Sequence, residues 1–283
     1  MEAIGISGLT WNGTGRSEEY LRDLGDNIDQ YYEEDPQEKE GGATRLIQKP
    51  SCKLSVVQER IHNTYLQGLE WPAWLFGAGD GRAQRENAEA HLGLNHHFVT
   101  DILGFYPSVD NDEVYEVFES KLDFTPDAAS LATRLTTYQG NLPQGTTTSP
   151  RLADLTFLDV DRRLSSFCKS CGITYTRYAD DLTFSASHSF ESEISRIKEI
   201  VSGGNFRLHD GEKTGYKVGP IEVTGIVVTN NKLFAPPRLK ERLRETDPGS
   251  PEWQGTVGYI QYVEPGFEVE ATRVDSVTTI GPS

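Results

Sequence analysis

The chain has 283 residues, with 27 lysines and arginines against 43 aspartates and glutamates, and a formal net charge of −16. At roughly 100–200 residues per domain it can build one large core, or two or three lobes sharing one. A charge of that sign excludes a uniformly basic nucleic-acid-binding surface, and no apolar run approaches the ~20 residues of a bilayer-spanning helix.

From the N-terminus, MEAIGISGLT carries neither the basic segment nor the apolar core of a secretory signal. The expected location is therefore the cytoplasm, with no membrane partner. Acid is concentrated in 18-EEYLRDLGDNIDQYYEEDPQEKE-40, and the stretch EEDPQEKEGG reads as a loop or a solvated hairpin tip. The segment 43-ATRLIQKP-50 predicts a short strand stopped by Pro50. Next, 51-SCKLSVVQERIHNTYLQGL-69 predicts a helix capped by Ser51, with Leu54, Val57, Ile61, Tyr65 and Leu69 on one side. GAGDGRAQ, at 77–84, reads as a flexible loop. The run 97-HFVTDILGF-105 predicts a buried strand that ends in a turn at Pro107.

Helices are expected at 111-NDEVYEVFES-120 and from Pro126 to Thr137, followed by the loop 138-YQGNLPQGTTTSP-150 and a long apolar helix stopped at Gly172. Near its end, Cys168 and Cys171 have metal-like spacing without a second ligand pair, and read as ordinary thiols. With Cys52 they form an odd set and no disulfide framework, as expected in a reducing compartment. Residues 173–187 read as strand, tight turn at Ala179-Asp180-Asp181, and strand. A helix over about 190–201 follows, then strands at 214-TGYKVG-219, 221-IEVTGIVVTN-230 and 232-KLFA-235, read as a meander. The last predicted helices are 237-PRLKERLRE-245 and 252-EWQGTVGYIQYV-263. Lys232, Arg238, Lys240, Arg242 and Arg244 make either a locally basic stripe or a solvated helix face. The pattern fits an α+β fold with helices on one face of a sheet.

Asp101 falls near the end of one predicted strand, and Asp180 and Asp181 at the tip of the predicted hairpin. If those strands are neighbours, at ~4.8 Å spacing, three carboxylates meet at one point. Like charges that close either share a proton or hold a hard cation between them. The plain alternative is a solvent-exposed Asp-Asp turn without a metal.

Three stretches, TDILGFYPSV at 100–109, NLPQGTTTSP at 141–150 and YADD within 175-YTRYADDLTFS-185, resemble in order and spacing the palm motifs of reverse transcriptases. Two shorter ones flank them. They are 87-NAEAH-91 and Val223-Thr224-Gly225, which resemble the NAxxH box and the Val-Thr-Gly triplet of the bacterial retron reverse transcriptases. The resemblance implies an RNA-directed DNA polymerase with a right-hand fold. An N-terminal region and fingers would span 1–95. The palm, an antiparallel sheet with helices on one face, would span 96–235 with a fingers insertion at about 122–150. A short helical thumb would span 236–283.

It also implies that Asp101, Asp180 and Asp181 bind two Mg²⁺ ions, with Mn²⁺ as a substitute, for two-metal nucleotidyl transfer. The Ile102 carbonyl would be a further ligand in the nucleotide site. Tyr106 would lie under the sugar of the incoming dNTP and block a 2′-OH. Gln144 and Gly145 would line the nucleotide and template pocket, and Arg45, with Lys49, would grip the triphosphate. Lys213 would be a catalytic residue near the leaving pyrophosphate. Asn87, His91, Val223, Thr224 and Gly225 would hold structured RNA. Plainer readings stand beside these: Tyr106 as core, Lys213 as a surface lysine, Arg45 paired with the acidic N-terminal region, and Asn87 and His91 as capping and packing residues.

The partners so implied are a cognate noncoding RNA serving as template and primer, its DNA product, dNTPs and an effector protein. The product would be a branched RNA–DNA hybrid (msDNA) used in anti-phage defence. The alternatives are another bacterial defence-associated or intron-derived reverse transcriptase, and a non-catalytic RNA-binding scaffold restraining a toxin. Gly104 departs from the family pattern, which often has an acidic or amide residue there. The segment after the meander is short for a thumb, which puts template grip on 237-PRLKERLRE-245 or on a partner protein.

Overall fold

The computed structural model describes residues 3–38, 42, 44–77, 84–210 and 214–268. Helix α1 (Glu18–Asp26) starts where Ser17 Oγ accepts the Tyr20 N–H, with Glu18 and Glu19 in its positive first turn. Strands β1 (Tyr32–Glu38) and β2 (Thr44–Pro50) pair antiparallel from Tyr32↔Pro50 to Glu38↔Thr44. Of the acidic stretch expected as a loop or hairpin tip, Glu33–Glu38 is one strand of this pair, and Lys49 crosses to Asp35 at 2.6 Å. In α2 (Cys52–Ile61), Leu54, Val57 and Ile61 are buried as the periodicity predicts. Ser51 occupies the cap position but makes no capping bond, and its Oγ is buried without a partner. Its backbone N–H instead donates to the Tyr31 carbonyl at 2.7 Å, tying the helix start to the hairpin.

The main sheet has the order β3-β5-β6-β4-β7. Its strands are β3 (Leu75–Phe76), β4 (His96–Asp101), β5 (Thr174–Tyr178), β6 (Asp181–Ala186) and β7 (Gly215–Val218). All pairings are antiparallel except β3 with β5, so the sheet is mixed rather than purely antiparallel. Strand β4 stops at Asp101, four residues before the predicted end. Gly104 then takes the left-handed region at φ 58°, and the chain turns through Ser108, whose N–H donates to the Gly104 carbonyl at 2.8 Å.

Alternation along the strands sorts the sheet into two faces. Tyr175, Leu182, Phe184 and Phe98 belong to one core with Phe157, Leu164 and Ile197, contributed by α6 (Ser149–Ser170) and α7 (Ile194–Ser202). Tyr175 stacks on Phe184 with ring centroids 5.0 Å apart. The same core takes in Val114 of α4 (Asn111–Glu116), which opens with an Asp110–Glu113 capping box, and Leu131 of α5 (Pro126–Thr136). Gly172, at φ 67°, ends the α6 segment as expected.

The stretch expected as one strand at 221–230 is two. Strands β8 (Ile221–Val223) and β9 (Ile226–Val228) fold back on Thr224-Gly225, both at positive φ, the geometry of a tight hairpin turn. With β10 (Leu233–Phe234) they form a separate sheet, while β7, expected in the meander, pairs with β4. A second core joins this small sheet to Leu243 of α8 (Pro237–Glu245), Val257 and Ile260 of α9 (Pro251–Val263) and Ala88 of α3 (Gln84–Glu89). The basic stripe is largely neutralised, since Arg238, Lys240 and Arg242 pair with Glu222, Glu264 and Glu252. Among the described residues, no helix is long and apolar enough to cross a membrane.

The other face of the main sheet is polar yet covered, so the helices do not lie on one face alone. Just beyond α3, His91 Nε2 meets Thr176 Oγ1 of β5 at 2.8 Å, and His97 Nδ1 of β4 meets Ser185 Oγ of β6 at 2.7 Å. All four residues are buried. Burial, helped by the neighbouring His97, pushes the His91 imidazole down to about 3. Between the unfolded value near 6.5 and that folded value, the unfolded chain binds a proton that the folded chain refuses. Stability from this group is therefore complete above 6.5 and falls as the pH drops below it, by roughly 1.4 kcal/mol per unit. His91→Gln keeps a hydrogen-bonding group without the titration. Urea unfolding at pH 7 and pH 5 is expected to show a loss smaller by about 2 kcal/mol in the variant than in the wild type.

Candidate active site

Register sets the centre of the site. Asp101 of β4 and Asp181 of β6 are direct partners across the two strands, so their side chains leave the same face of the sheet. The Ile102 N–H donates to the Asp180 carbonyl at 2.9 Å, drawing the third aspartate to the same sheet end. The Asp101 carbonyl accepts from the His209 N–H at 2.8 Å, and the Leu103 N–H donates to the Arg207 carbonyl at 2.8 Å. These bonds anchor the strand end where Asp101 sits. Asp181 is exposed, and Asp101 and Asp180 are partly so. A donor set made only of carboxylates suits a hard divalent cation. Among the described residues, however, no three His, Cys, Asp or Glu side chains converge closely enough to hold one. The backbone brings the three residues together without closing their oxygens on a common point.

The turn carrying the doublet is unusual in its backbone. Ala179 sits at φ 53°, in the left-handed region, which costs a residue with a Cβ roughly 1–2 kcal/mol. Arg177, completely buried, reaches it from the helical face of the sheet. Its Nη1 donates to the Ala179 carbonyl at 2.8 Å and to Asp154 Oδ1 at 2.7 Å. Its Nη2 donates to Asp161 Oδ2 at 2.7 Å, and its Nε to both Asp161 oxygens at 3.0 and 3.1 Å. The Tyr175 hydroxyl donates to Asp161 Oδ1 at 2.5 Å. The Phe157 and Phe105 rings flank the guanidinium at 5.1 and 5.6 Å. Burial opposes a charge on Arg177, but the Asp161 and Asp154 carboxylates outweigh it and raise its proton affinity above the ordinary range. Burial also pushes Asp154 up, with Arg177 pulling it back.

Tyr106 lies half-buried beyond the end of β4. Burial first, then the Asp180 and Asp154 charges, push its phenol up to about 12, while Arg45 and Arg177 pull the other way. Tyr106 thus sits within the electrostatic reach of both Asp180 and the exposed Arg45 of β2. Lys49, on the same strand, is engaged by Asp35. Gln48 and Gln144 tie β2 to the loop before α6. The Gln48 N–H donates to the Gln144 carbonyl, and the Gln144 N–H to Gln48 Oε1, each at 2.7 Å. Gly145 has φ 114°, and a Cβ there would come within 2.8 Å of Ile47 Cγ2 and 3.1 Å of the Gln48 carbonyl oxygen. Only glycine fits where the hairpin crosses this loop.

Of the residues expected to hold RNA, Asn87 and His91 are buried, with Asn87 Oδ1 and His91 Nδ1 lacking partners. Asn87 Nδ2 approaches Thr224 Oγ1 at 3.5 Å, and Thr224 Oγ1 donates to the Gln84 carbonyl at 3.4 Å. The two motifs therefore meet, with α3 against the Thr224-Gly225 turn, and Val223 is buried in the second core. Lys213 lies outside the described residues. Sequence reading missed Arg177, Asp154, Asp161 and Gln48. A signal existed for three of them: two aspartates seven apart on an apolar helix share a face, and an arginine in a buried strand needs partners there.

The family model for reverse transcriptase (RNA-dependent DNA polymerase) matches residues 37–205. The chain is 32% identical over 171 residues to the retron Se72 reverse transcriptase of Salmonella heidelberg, covering 59% of this chain and 45% of that protein. It is 31% identical over 209 residues to the retron Ec86 reverse transcriptase of Escherichia coli, covering 69% and 62%. Against the retron Mx162 reverse transcriptase of Myxococcus xanthus it is 27% identical over 296 residues, covering 86% and 61%. The aligned parts thus span between 45% and 62% of the length of these three relatives. With more than half of its residues inside the family match, and with retron proteins as its relatives, the chain belongs to the reverse transcriptase (RNA-dependent DNA polymerase) family and is of the retron type.

Proposed function

We propose that this protein is an RNA-directed DNA polymerase that copies a cognate structured noncoding RNA into a branched RNA–DNA hybrid, msDNA, in anti-phage defence with an effector protein. The observation that carries the chemistry is the direct cross-strand pairing of Asp101 with Asp181, with Asp180 bonded through its carbonyl to Ile102. Asp101, Asp180 and Asp181 would hold divalent ions, Mg²⁺ or Mn²⁺, with the Ile102 carbonyl as a further ligand. When bound, two such ions supply activation of the attacking hydroxyl and stabilisation of the leaving oxygen.

The chain's own groups do the rest. Tyr106 forms a floor that has no room for a 2′-hydroxyl. Arg45 offers a planar fork to the triphosphate, held in place because Gln48 pins its strand to Gln144 beside Gly145. Lys213 donates a proton toward the leaving pyrophosphate. Asn87 and His91 contribute to RNA binding indirectly, by seating α3 and the Thr224-Gly225 turn, with Val223 as the buried anchor of that turn. In this reading fingers occupy 1–95, the palm 96–235 with an insertion at about 122–150, and the thumb 236–283, the small sheet sharing its core with the thumb helices. The retron product and partners rest on similarity to proteins named as retron reverse transcriptases.

Primer extension with Mg²⁺ tests the metal ligands. Asp180→Asn and Asp181→Asn are each expected to reduce DNA synthesis by about 10³-fold or more while leaving RNA binding intact, since each removes a ligand charge. Wild-type extension by either would sink the assignment. Tyr106→Ala is expected to raise ribonucleotide incorporation relative to deoxyribonucleotide, read by single-nucleotide extension; an unchanged ratio would remove Tyr106 from that role. Nucleic acid purified with the protein is expected to be a single branched RNA–DNA species. Heterogeneous or homopolymeric DNA would instead point to another kind of bacterial reverse transcriptase.

A further inference from the structure

The Asp180-Asp181 turn is gripped from behind, on the face away from where a nucleotide would bind. Arg177 does this with a fork whose position is set elsewhere: Nε and Nη2 are committed to Asp161, and Nη1 is shared between Asp154 and the Ala179 carbonyl. Asp154 and Asp161 both belong to α6, seven residues apart and therefore on one face. The strained residue of the turn, Ala179 at φ 53°, is the one whose carbonyl the fork holds. Asp180 follows it directly, and its own carbonyl accepts from Ile102, next to Asp101.

We infer that Arg177, seated on Asp161 and Asp154, is a positioning residue for the carboxylates. By fixing the Ala179 carbonyl it sets the left-handed turn, and through the turn the placement of Asp180 and Asp181 opposite Asp101. The inference rests on the proposed role of the three aspartates as cation ligands. A lysine cannot replace the fork, because one ammonium cannot satisfy Asp161, Asp154 and the Ala179 carbonyl from the places three guanidinium nitrogens occupy. A neutral Asp154 amide would keep its shape but lose the charge that holds Nη1 between it and the turn.

The test uses Mn²⁺ alone, titrated into the full chain and followed by electron paramagnetic resonance, with thermal unfolding measured in parallel. Wild type is expected to bind Mn²⁺, and Asp181→Asn to lose that binding. Equal binding by the two would overturn the ligand assignment, and the inference with it. With the assignment upheld, folded Arg177→Lys and Asp154→Asn are each expected to bind Mn²⁺ about tenfold more weakly or worse, as when a group that orients metal ligands is removed. A merely structural role would lower the unfolding temperature and leave the Mn²⁺ affinity of the folded protein unchanged. Wild-type affinity in folded Asp154→Asn overturns the inference, even if Arg177→Lys fails to fold.

Discussion

The pairing of β4 with β6 is the constraint on which the rest of the structure depends. Side chains alternate along a strand with a period of two, so a slip of one residue would move every group to the opposite face. In the observed register Phe98 faces Phe184 in the core and Asp101 faces Asp181 at the sheet end. A slip would set charges against the aromatic core and leave aromatic rings on the polar face, so hydrophobic burial enforces the register. The position of the carboxylates is therefore a by-product of core packing. They need no mutual attraction to be neighbours, and as like charges they have none.

That packing also explains how a polar cluster survives inside the helical face. Removing one partner from a buried, hydrogen-bonded ion pair typically costs ~3–5 kcal/mol, because the charge left behind is uncompensated. Arg177 meets this demand with two carboxylates and one backbone carbonyl, and Tyr175 takes up a further lone pair of Asp161. The rings of Phe157 and Phe105 offer the cation their negative faces. The cluster joins the longest helix to the strand that leads into the turn. A hairpin tip, ordinarily a mobile place, is thereby bound to the rigid interior.

A second junction works by shape. The β1–β2 hairpin is mostly exposed and meets the body at Tyr32, whose hydroxyl accepts from Gln58 Nε2 and whose ring packs on Tyr138, and at the reciprocal pair of bonds between Gln48 and Gln144, beside Gly145. Two amides exchanging bonds hold direction well and contribute only ~1 kcal/mol each. Arg45 lies three residues along the same strand from that junction.

Local pattern alone was enough for most of the helices, though not for α1 or α3, which the sequence reading did not expect. Periodicity marked Leu54, Val57 and Ile61 as the buried side of α2, Gly172 marked the end of α6, and the tight turn at Ala179-Asp180-Asp181 marked the β5–β6 hairpin. Three ordered motifs pointed to the candidate site through their resemblance to the palm motifs of reverse transcriptases. What the chain order could not contain were the long-range meetings: β7 beside β4, β3 running parallel to β5, the 221–230 segment folded in two on Thr224-Gly225, and Asn87 turned inward to that turn. Ser51 shows the same limit on a small scale, since it holds the cap position while its hydroxyl is buried. Arg177, Asp154 and Asp161 were each visible as charges in apolar surroundings, but their partnership closes over gaps of 16 and 23 residues. Sequence by itself determined which groups had to be buried, exposed or turned. Tertiary structure decided which of them met, because burial fixes how much surface is hidden, while directional hydrogen bonds and strand register select the partner.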